Sequence, residues 1–149
     1  MTELNYDEYK SGFLDSLNEC TRIVLATCAD NIVTTRVVCP ILAEDSIMFS
    51  TGINSFKCQQ MKANPKVAFS LGDFNIEADA QFYGHPSTHP YFPAEYSKKY
   101  PHLGEIYESS PDDVLVICKI NKVNVYAFVG KACKDIIDFE TKNAYRIEL

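Results

Sequence analysis

Residues 21–39 read TRIVLATCADNIVTTRVVC, and this stretch decides the fold. Residues 21–28 and 32–39 are two apolar segments rich in β-branched side chains, a composition typical of strands. Between them lies Ala29-Asp30-Asn31. Asp and Asn tolerate the left-handed backbone that a tight hairpin turn requires. The stretch therefore predicts an antiparallel hairpin.

Further strands are predicted along the rest of the chain. Residues 46–50 and 67–71 form short apolar runs, and residues 75–83 alternate strictly between apolar and polar side chains. An alternation of period two indicates a half-buried antiparallel strand, which Gly84 would end. Residues 114–120 and 123–128 predict one long strand or a bulged pair, and residues 144–149 predict an edge strand.

Helices are predicted at the start and in the middle of the chain. Apolar residues recur at helical spacing between Tyr6 and Leu17, and Asn5 with Glu8 has the form of a capping box. Residues 55–64 predict a short helix, and residues 93–100 and 103–109 predict two more in a Pro-rich region. Strands do not alternate with helices, and no G-x-G-x-x-G motif is present, which argues against a Rossmann fold. The pattern predicts a single mainly β domain with short helices, closed as an antiparallel barrel.

Composition limits the possible partners. The chain has 149 residues and a net charge of -6, which argues against a nucleic-acid or anionic membrane surface. The N-terminal residues do not resemble a signal peptide, and the apolar runs are shorter than a membrane span. We therefore expect a cytoplasmic protein. None of the six cysteines forms a C-x-x-C motif or has zinc spacing, so we expect reduced structural thiols and no metal site.

Two segments contain cations where an anion would suit them. Arg36 lies inside an apolar strand, where a guanidinium needs an anion or solvent. In residues 49–57, FSTGINSFK, a strand ends in hydroxyl residues and a helix begins with Lys57 in its first turn. Free N–H groups at a helix N-terminus suit a phosphate, and two cations together could hold its dianion. The plainer alternatives are a solvated Lys57 and an Arg36 that reaches water or pairs with Glu77 or Asp79.

Residues 22–84 resemble the pyridoxamine 5'-phosphate oxidase-like FMN-binding split barrels. The resemblance consists of an ordered series of short matches, and it covers a little under half of the chain. The series comprises the strand at 23–27, the Arg-bearing strand at 36–38, the strand end at 49–51, Lys57 in a short helix, residues 64–68 opening the next strand, and the strand closing at Tyr83-Gly84.

The resemblance implies an FMN cofactor bound between the two protomers of a homodimer. It implies that Arg36 and Lys57 bind the flavin phosphate, and that Ser50 and Thr51 also contact the cofactor. The backbone at Val37 and Val38 would lie along the isoalloxazine ring. The implied activity is an FMN-dependent oxidoreductase acting on a small molecule, with NAD(P)H as a candidate donor.

The chain departs from the true oxidases at several positions. Phe56 replaces a second Arg before the Lys, Ile41 replaces a Lys, and Asp79 replaces a Gln. The tail at residues 143–149 lacks the Trp and His with which the oxidases hold pyridoxal phosphate, so vitamin B6 oxidation is not expected. A nitro-group reductase similar to the nitroimidazole-resistance proteins is the most concrete version. The alternatives are a non-enzymatic flavin binder or redox sensor, and a barrel that has lost FMN and binds haem or a protein partner.

The Pro-rich region contains two further candidate groups. His85, His89 and His102 are interpreted as loop histidines, with haem, metal or substrate contact as the alternative. Five aromatic residues either pack the core and a dimer interface or wall a substrate pocket: Tyr83, Tyr91, Phe92, Tyr96 and Tyr100.

Overall fold

The computed structural model describes residues 1–103 and 110–149. A helix is predicted over residues 103–109, and its residues 104–109 lie outside this range. The strands that it describes are β1 (Thr2–Leu4), β2 (Ile23–Ala29), β3 (Ile32–Val38), β4 (Ile41–Ala43), β5 (Ser46–Gly52), β6 (Lys66–Leu71), β7 (Phe74–Gly84), β8 (Asp113–Phe128), β9 (Ala132–Asp138) and β10 (Asn143–Glu148). In the same described residues, the α-helices are α1 (Tyr6–Glu19), α2 (Phe56–Ala63) and α3 (Phe92–Lys99), and a 3-10 turn spans Pro86–Thr88.

The predicted hairpin is confirmed as β2 and β3. The two strands pair in antiparallel register from Ile23↔Val38 to Ala29↔Ile32. Asp30 and Asn31 adopt φ values of 53° and 62°, the left-handed conformation expected of the turn. The hairpin fixes which β3 side chains share a face with those of β2, because antiparallel partners point to the same side of a sheet.

All strands pair antiparallel, in the order β1-β10-β9-β8-β7-β6-β2-β3, and β5 joins β8 to β4. Among the described residues, β3 and β4 each pair with one strand only, so the sheet stays open between these two ends. The prediction of a long or bulged strand is confirmed in β8, where Asn121 is the extra residue between the pairs Glu77↔Lys122 and Ala78↔Ile120. The prediction that the tail forms an edge strand is wrong, because β1 covers β10 on its outer side.

The main core lies inside the curved sheet. Phe13 and Leu17 of α1 pack there against inward side chains of β2, β5, β6, β7 and β8. The predicted helix cap holds α1 in place, since Asn5 Oδ1 accepts a hydrogen bond from the Glu8 N–H at 3.0 Å. A second, smaller core packs α3 against β4, β5 and β8 through Ile41, Met48, Phe92, Tyr100 and Leu115. These two cores fix β3, β5 and α2, the elements that hold the predicted site residues.

Candidate functional site

Arg36 lies on the inner face of β3, at the open edge of the sheet. It is opposite Leu25, and Thr34 is opposite Thr27, so these four side chains share one face. Leu25 and Thr27 are almost fully buried, whereas Arg36 is half-buried. The apolar pattern of β3 therefore places a guanidinium where the core meets solvent.

The Arg36 guanidinium donates to hydroxyl and carbonyl oxygens. Nη1 lies 2.7 Å from Thr27 Oγ1 and 3.3 Å from the Leu25 carbonyl oxygen, and Nη2 lies 2.5 Å from Thr34 Oγ1. None of these partners carries a charge, and burial lowers the pKa of Arg36.

The carboxylates considered as partners for Arg36 are engaged elsewhere. Asp79 pairs with Lys66 at 2.7 Å, and Glu77 accepts from Asn124. The alternative in which Arg36 pairs with Glu77 or Asp79 is therefore wrong.

Gln60 connects α2 to the same cluster. Ser55 caps this helix by accepting from the Cys58 N–H, and one turn later Gln60 is 3% exposed. Its Oε1 lies 2.5 Å from Thr27 Oγ1 and 2.6 Å from Thr34 Oγ1, and its Nε2 donates to the Ile32 carbonyl oxygen at 3.0 Å.

Thr27, Thr34 and Gln60 are not among the site residues predicted from the sequence. A signal for Thr34 was present, because Thr34 and Arg36 are two residues apart in a strand and must face the same way. Gln60 had no comparable signal, since a single glutamine in a short helix is ordinary.

Lys57 faces the same neighbourhood from the first turn of α2. Burial lowers the pKa of Lys57, and the positive charge of Arg36 lowers it further, while the Cys58 thiol acts in the opposite direction. No carboxylate pairs with Lys57 or Arg36 in the described part of the chain. By contrast, the cations that do pair with a carboxylate are Lys10, Lys66, Lys122, Lys131 and Arg146. Two neighbouring cations without a counter-ion, in a chain of net charge -6, form an arrangement that can accept an anion.

Ser50 and Thr51 lie at the end of β5, opposite Leu115 and Val114 of β8. The Ser50 hydroxyl donates to Asp113 Oδ2 at 3.4 Å. Within the described residues, no hydrogen bond joins Ser50 or Thr51 to Arg36 or Lys57. A negative group bound beside Ser50 would therefore also face the Asp113 carboxylate.

Val37 and Val38 occupy opposite faces of β3. Val38 is buried in the main core, and Val37 is 45% exposed on the outer face. Because β2 is the one strand that pairs with β3 in residues 1–103 and 110–149, alternate N–H and C=O groups along β3 point away from the sheet. A flat ligand can therefore receive main-chain hydrogen bonds there.

The outer face of the hairpin is apolar and grooved. Val24, Val33 and Val37 are exposed there, beside the small side chains of Ala26 and Ala68. An open groove of about 620 Å³ runs from this face towards Lys66 and Lys122. An exposed apolar sheet face of this kind is typical of an interaction surface.

The three departures from the oxidases have different structural surroundings. Phe56 is 52% exposed at the start of α2, directly beside Lys57. Ile41 is buried in the second core, so a lysine there would lose its hydration. Asp79 accepts from Lys66 and Asn121, on a different strand pair from Arg36.

Two of the histidines cap local structure. His85 Nδ1 accepts from the Ser87 N–H at 3.2 Å, and its Nε2 lies 3.0 Å from the Ser110 carbonyl oxygen. His89 Nδ1 accepts from the N–H groups of Tyr91 and Phe92, which begins α3. These contacts support the interpretation of both as structural loop histidines.

The aromatic residues divide into two groups. Phe92 stacks on Tyr96 with ring centroids 5.1 Å apart, and Tyr96 meets the tilted ring of Tyr100 at 5.0 Å, so all three rings pack against the second core. Tyr83 and Tyr91 stay exposed. Core packing therefore accounts for the first three rings.

Neither a metal cluster nor a membrane-spanning helix is present in residues 1–103 and 110–149. Over these residues, no three His, Cys, Asp or Glu side chains come together as metal ligands. None of the helices described there has the length and apolar character needed to cross a bilayer.

Comparison with solved structures places the fold. ChuZ from Campylobacter jejuni aligns over 98% of this chain and 65% of its own length, with a TM-score of 0.77 and 15% identity. A pyridoxamine 5'-phosphate oxidase-related, FMN binding protein from Nostoc punctiforme aligns over 95% of this chain and 96% of its own, with a TM-score of 0.64 and 12% identity. The chain has the fold of the pyridoxamine 5'-phosphate oxidase-like split barrels.

The same split barrel occurs in proteins with different ligands. HutZ, the heme storage protein from Vibrio cholerae, aligns over 75% of this chain and 89% of its own, with a TM-score of 0.63 and 10% identity. Neither the protein-family models nor the curated proteins contain a match to the chain. The chain spans about two thirds of the length of ChuZ. The mainly β, antiparallel split-barrel fold expected from the sequence is confirmed.

Proposed function

We propose that this split barrel binds FMN and that Arg36 and Lys57 hold its phosphate. One observation carries the proposal: Arg36 and Lys57 are both half-buried, the charge of Arg36 acts on Lys57, and no carboxylate pairs with either in the described residues. A phosphate dianion would supply the missing counter-charge. Each charge-assisted hydrogen bond to it is worth roughly 1.5–3 kcal/mol.

The remaining contacts follow from the same elements. The free backbone groups of β3 at Val37 and Val38 would lie along the isoalloxazine ring, and Ser50 and Thr51 would approach from the end of β5. Bound flavin would supply electron or hydride transfer, while the protein supplies orientation and electrostatics. The Asp113 carboxylate beside Ser50 opposes anion binding at that end. Arg36 and Lys57 are therefore the principal phosphate contacts.

We further propose a homodimer formed through the outer face of β2, β3 and β6. Val24, Val33 and Val37 leave an apolar surface uncovered there, next to the strand that would contact the flavin. A second copy would cover this surface and exclude water from the ring. Sedimentation of the wild type and of a Val37→Lys variant tests this proposal, with a dimer expected only for the wild type.

The activity proposed is reduction of a small molecule by the flavin, with NAD(P)H as donor and a nitro compound as one acceptor class. A non-enzymatic flavin binder or redox sensor would share the same site. NADPH and NADH oxidation by the flavin-loaded protein, with and without a nitro acceptor, separates these possibilities. Turnover supports the enzyme, whereas stable flavin without turnover supports the sensor.

Haem binding is the second candidate, because HutZ shares the fold. Both ring nitrogens of His85 and the Nδ1 of His89 already form hydrogen bonds. Iron coordination by His89 Nε2 would require the Nδ1–H tautomer, which cannot accept from the α3 backbone. These two histidines are therefore poorly placed to coordinate haem iron. Haemin titrated into the wild type and into a His89→Ala variant should therefore give the same Soret band.

The decisive experiment is flavin occupancy after expression and reconstitution. Absorbance and mass spectrometry of the wild type should show FMN, and Arg36→Ala or Lys57→Ala should lose it while staying folded by circular dichroism. Lys62→Ala is the matched control, because Lys62 lies on the same helix and its Nζ lies over the Phe82 ring. Full occupancy in both the Arg36 and Lys57 variants would refute the phosphate assignment.

A further inference from the structure

The Gln60 amide has a defined orientation. Its Nε2 is 3.0 Å from the Ile32 carbonyl oxygen, and a flipped amide would place two acceptors against each other there. Its Oε1 therefore faces Thr27 and Thr34. Because a carbonyl oxygen can only accept, each threonine must donate its single hydroxyl proton to Gln60 Oε1.

Both hydroxyl oxygens can then only accept hydrogen bonds from the Arg36 guanidinium. The two Oγ1 atoms lie 3.3 Å apart, and they accept from Nη1 and Nη2 respectively. The second proton of Nη1 goes to the Leu25 carbonyl oxygen. Two hydroxyl groups, which Gln60 orients, therefore contact the end of the guanidinium that Nη1 and Nη2 form.

Two of the five N–H groups of Arg36 have no partner in the described part of the chain. They are the Nε–H and the second N–H of Nη2, which lie side by side along one edge of the planar group. This edge is the fork that pairs with two oxygens of one phosphate or carboxylate.

We propose that Gln60 is a positioning residue for the anion site: through Thr27 and Thr34 it locks Arg36 so that its Nε–Nη2 edge faces a single bidentate anion. The proposal rests on the proposed function for the identity of that anion as the FMN phosphate. Gln60 is 3% exposed, so it acts through the two threonines and not by touching the ligand.

The test replaces the whole network by apolar groups of similar size in the variant Thr27→Val, Thr34→Val, Gln60→Met. Removing all three together leaves no hydroxyl or amide unpaired in the core. The groups that lose a partner belong to half-buried Arg36 and exposed Ile32, where water can replace the lost bonds, so the variant should stay folded. The dissociation constant for FMN should rise about tenfold, the usual effect of losing one oriented hydrogen bond to a charged group. That for riboflavin, which lacks the phosphate, should not change.

Two further variants separate positioning from packing. The double variant Thr27→Ser, Thr34→Ser retains both hydroxyls and should bind FMN as the wild type does. Thr21→Val removes a hydroxyl at an exposed position before β2, away from the network, and should also have no effect. An unchanged FMN affinity in the triple variant overturns the inference, as does an equal loss for riboflavin.

A second probe keeps the inference testable if the proposed function fails. The chain has three arginines, Arg22, Arg36 and Arg146, so their Nε–H resonances can be assigned by substitution. Inorganic phosphate should shift the Arg36 resonance saturably in the wild type and much less in the triple variant. A wild-type protein that binds no flavin refutes the proposed function alone. An Arg36 resonance that phosphate does not move overturns the inference.

Discussion

Replacing Lys57 by methionine should stabilise the free protein and weaken FMN binding at the same time. Lysine and methionine have similar helix propensity, so the change acts mainly through the charge. Lys57 lies in the first turn of α2, where a cation opposes the helix dipole by about 0.3–1 kcal/mol. Relief of its repulsion with Arg36 adds a contribution of the size of a partly exposed ion pair, about 0.2–1 kcal/mol.

Together these effects should raise the stability of the free protein by about 1 kcal/mol. For a chain of this length, that corresponds to roughly 2–4 °C in Tm, measured by differential scanning calorimetry. The same substitution removes a charge-assisted hydrogen bond of about 1.5–3 kcal/mol from the phosphate, which weakens FMN binding at least about tenfold. Fluorescence titration measures that loss, and riboflavin should bind unchanged.

The pH dependence gives a second check on the same variant. Because the pKa of Lys57 is lowered in the folded protein, the stability deficit of the wild type is fully present below that lowered pKa. The deficit should vanish as the pH rises towards the ordinary lysine value of 10.5. The Tm difference between Lys57→Met and the wild type should therefore shrink at high pH.

The matched control is Lys62→Met, because Lys62 lies in the last turn of α2, where a cation is favourable. It should lower Tm slightly. If Lys57→Met lowered Tm as Lys62→Met does, Lys57 would be making a stabilising contact, and the reasoning about an uncompensated cation pair would be refuted.

Three further predictions concern neighbouring elements. Asp113→Asn should tighten FMN binding a few-fold in fluorescence titration, since it removes a negative charge beside Ser50; weaker binding would contradict that placement. Asp138 accepts from the N–H groups of Thr141 and Glu140, which lowers its pKa, so it should stabilise the fold above about pH 4 and lose that effect as the pH falls. Asp138→Ala should therefore reduce the fall in the free energy of unfolding at acid pH, measured by urea unfolding at a series of pH values. An unchanged fall would argue against this role. Phe92→Ala should cost about 3–5 kcal/mol in urea unfolding, because Phe92 is fully buried in the second core; a cost below 1 kcal/mol would contradict that packing.

Local patterns predicted the central hairpin and β7 well. The Asp30-Asn31 turn and the strict alternation in residues 75–83 each depend on neighbouring residues alone. β9 was missed because Lys134, Asp135 and Asp138 interrupt its apolar pattern. The cross-strand ion pair of Asp135 with Arg146 of β10, at 2.6 Å, makes the buried Asp135 tolerable. β1 and β4, of three residues each, have no pattern long enough to detect.

The candidate site was predictable only in part. Arg36 and Lys57 stood out because each breaks a local rule, one as a cation in an apolar strand and the other as a cation at a helix N-terminus. Thr27, Thr34 and Gln60 break no local rule, so their joint network appears only once β2, β3 and α2 are packed together. Sequence reasoning therefore predicted the two cations of the candidate site and missed the neutral groups that hydrogen-bond around Arg36.

The central claim, a phosphate dianion held between Arg36 and Lys57, is tested most directly by ³¹P NMR of FMN bound to the wild-type protein. Free phosphate monoesters take up their second proton at about pH 6. The charges of Arg36 and Lys57 should hold the bound phosphate as the dianion, so its resonance should stay constant well below pH 6. Lys57→Met should move the pH at which this resonance titrates back towards about 6. A bound phosphate that titrates in the wild type as it does in free FMN would contradict the account.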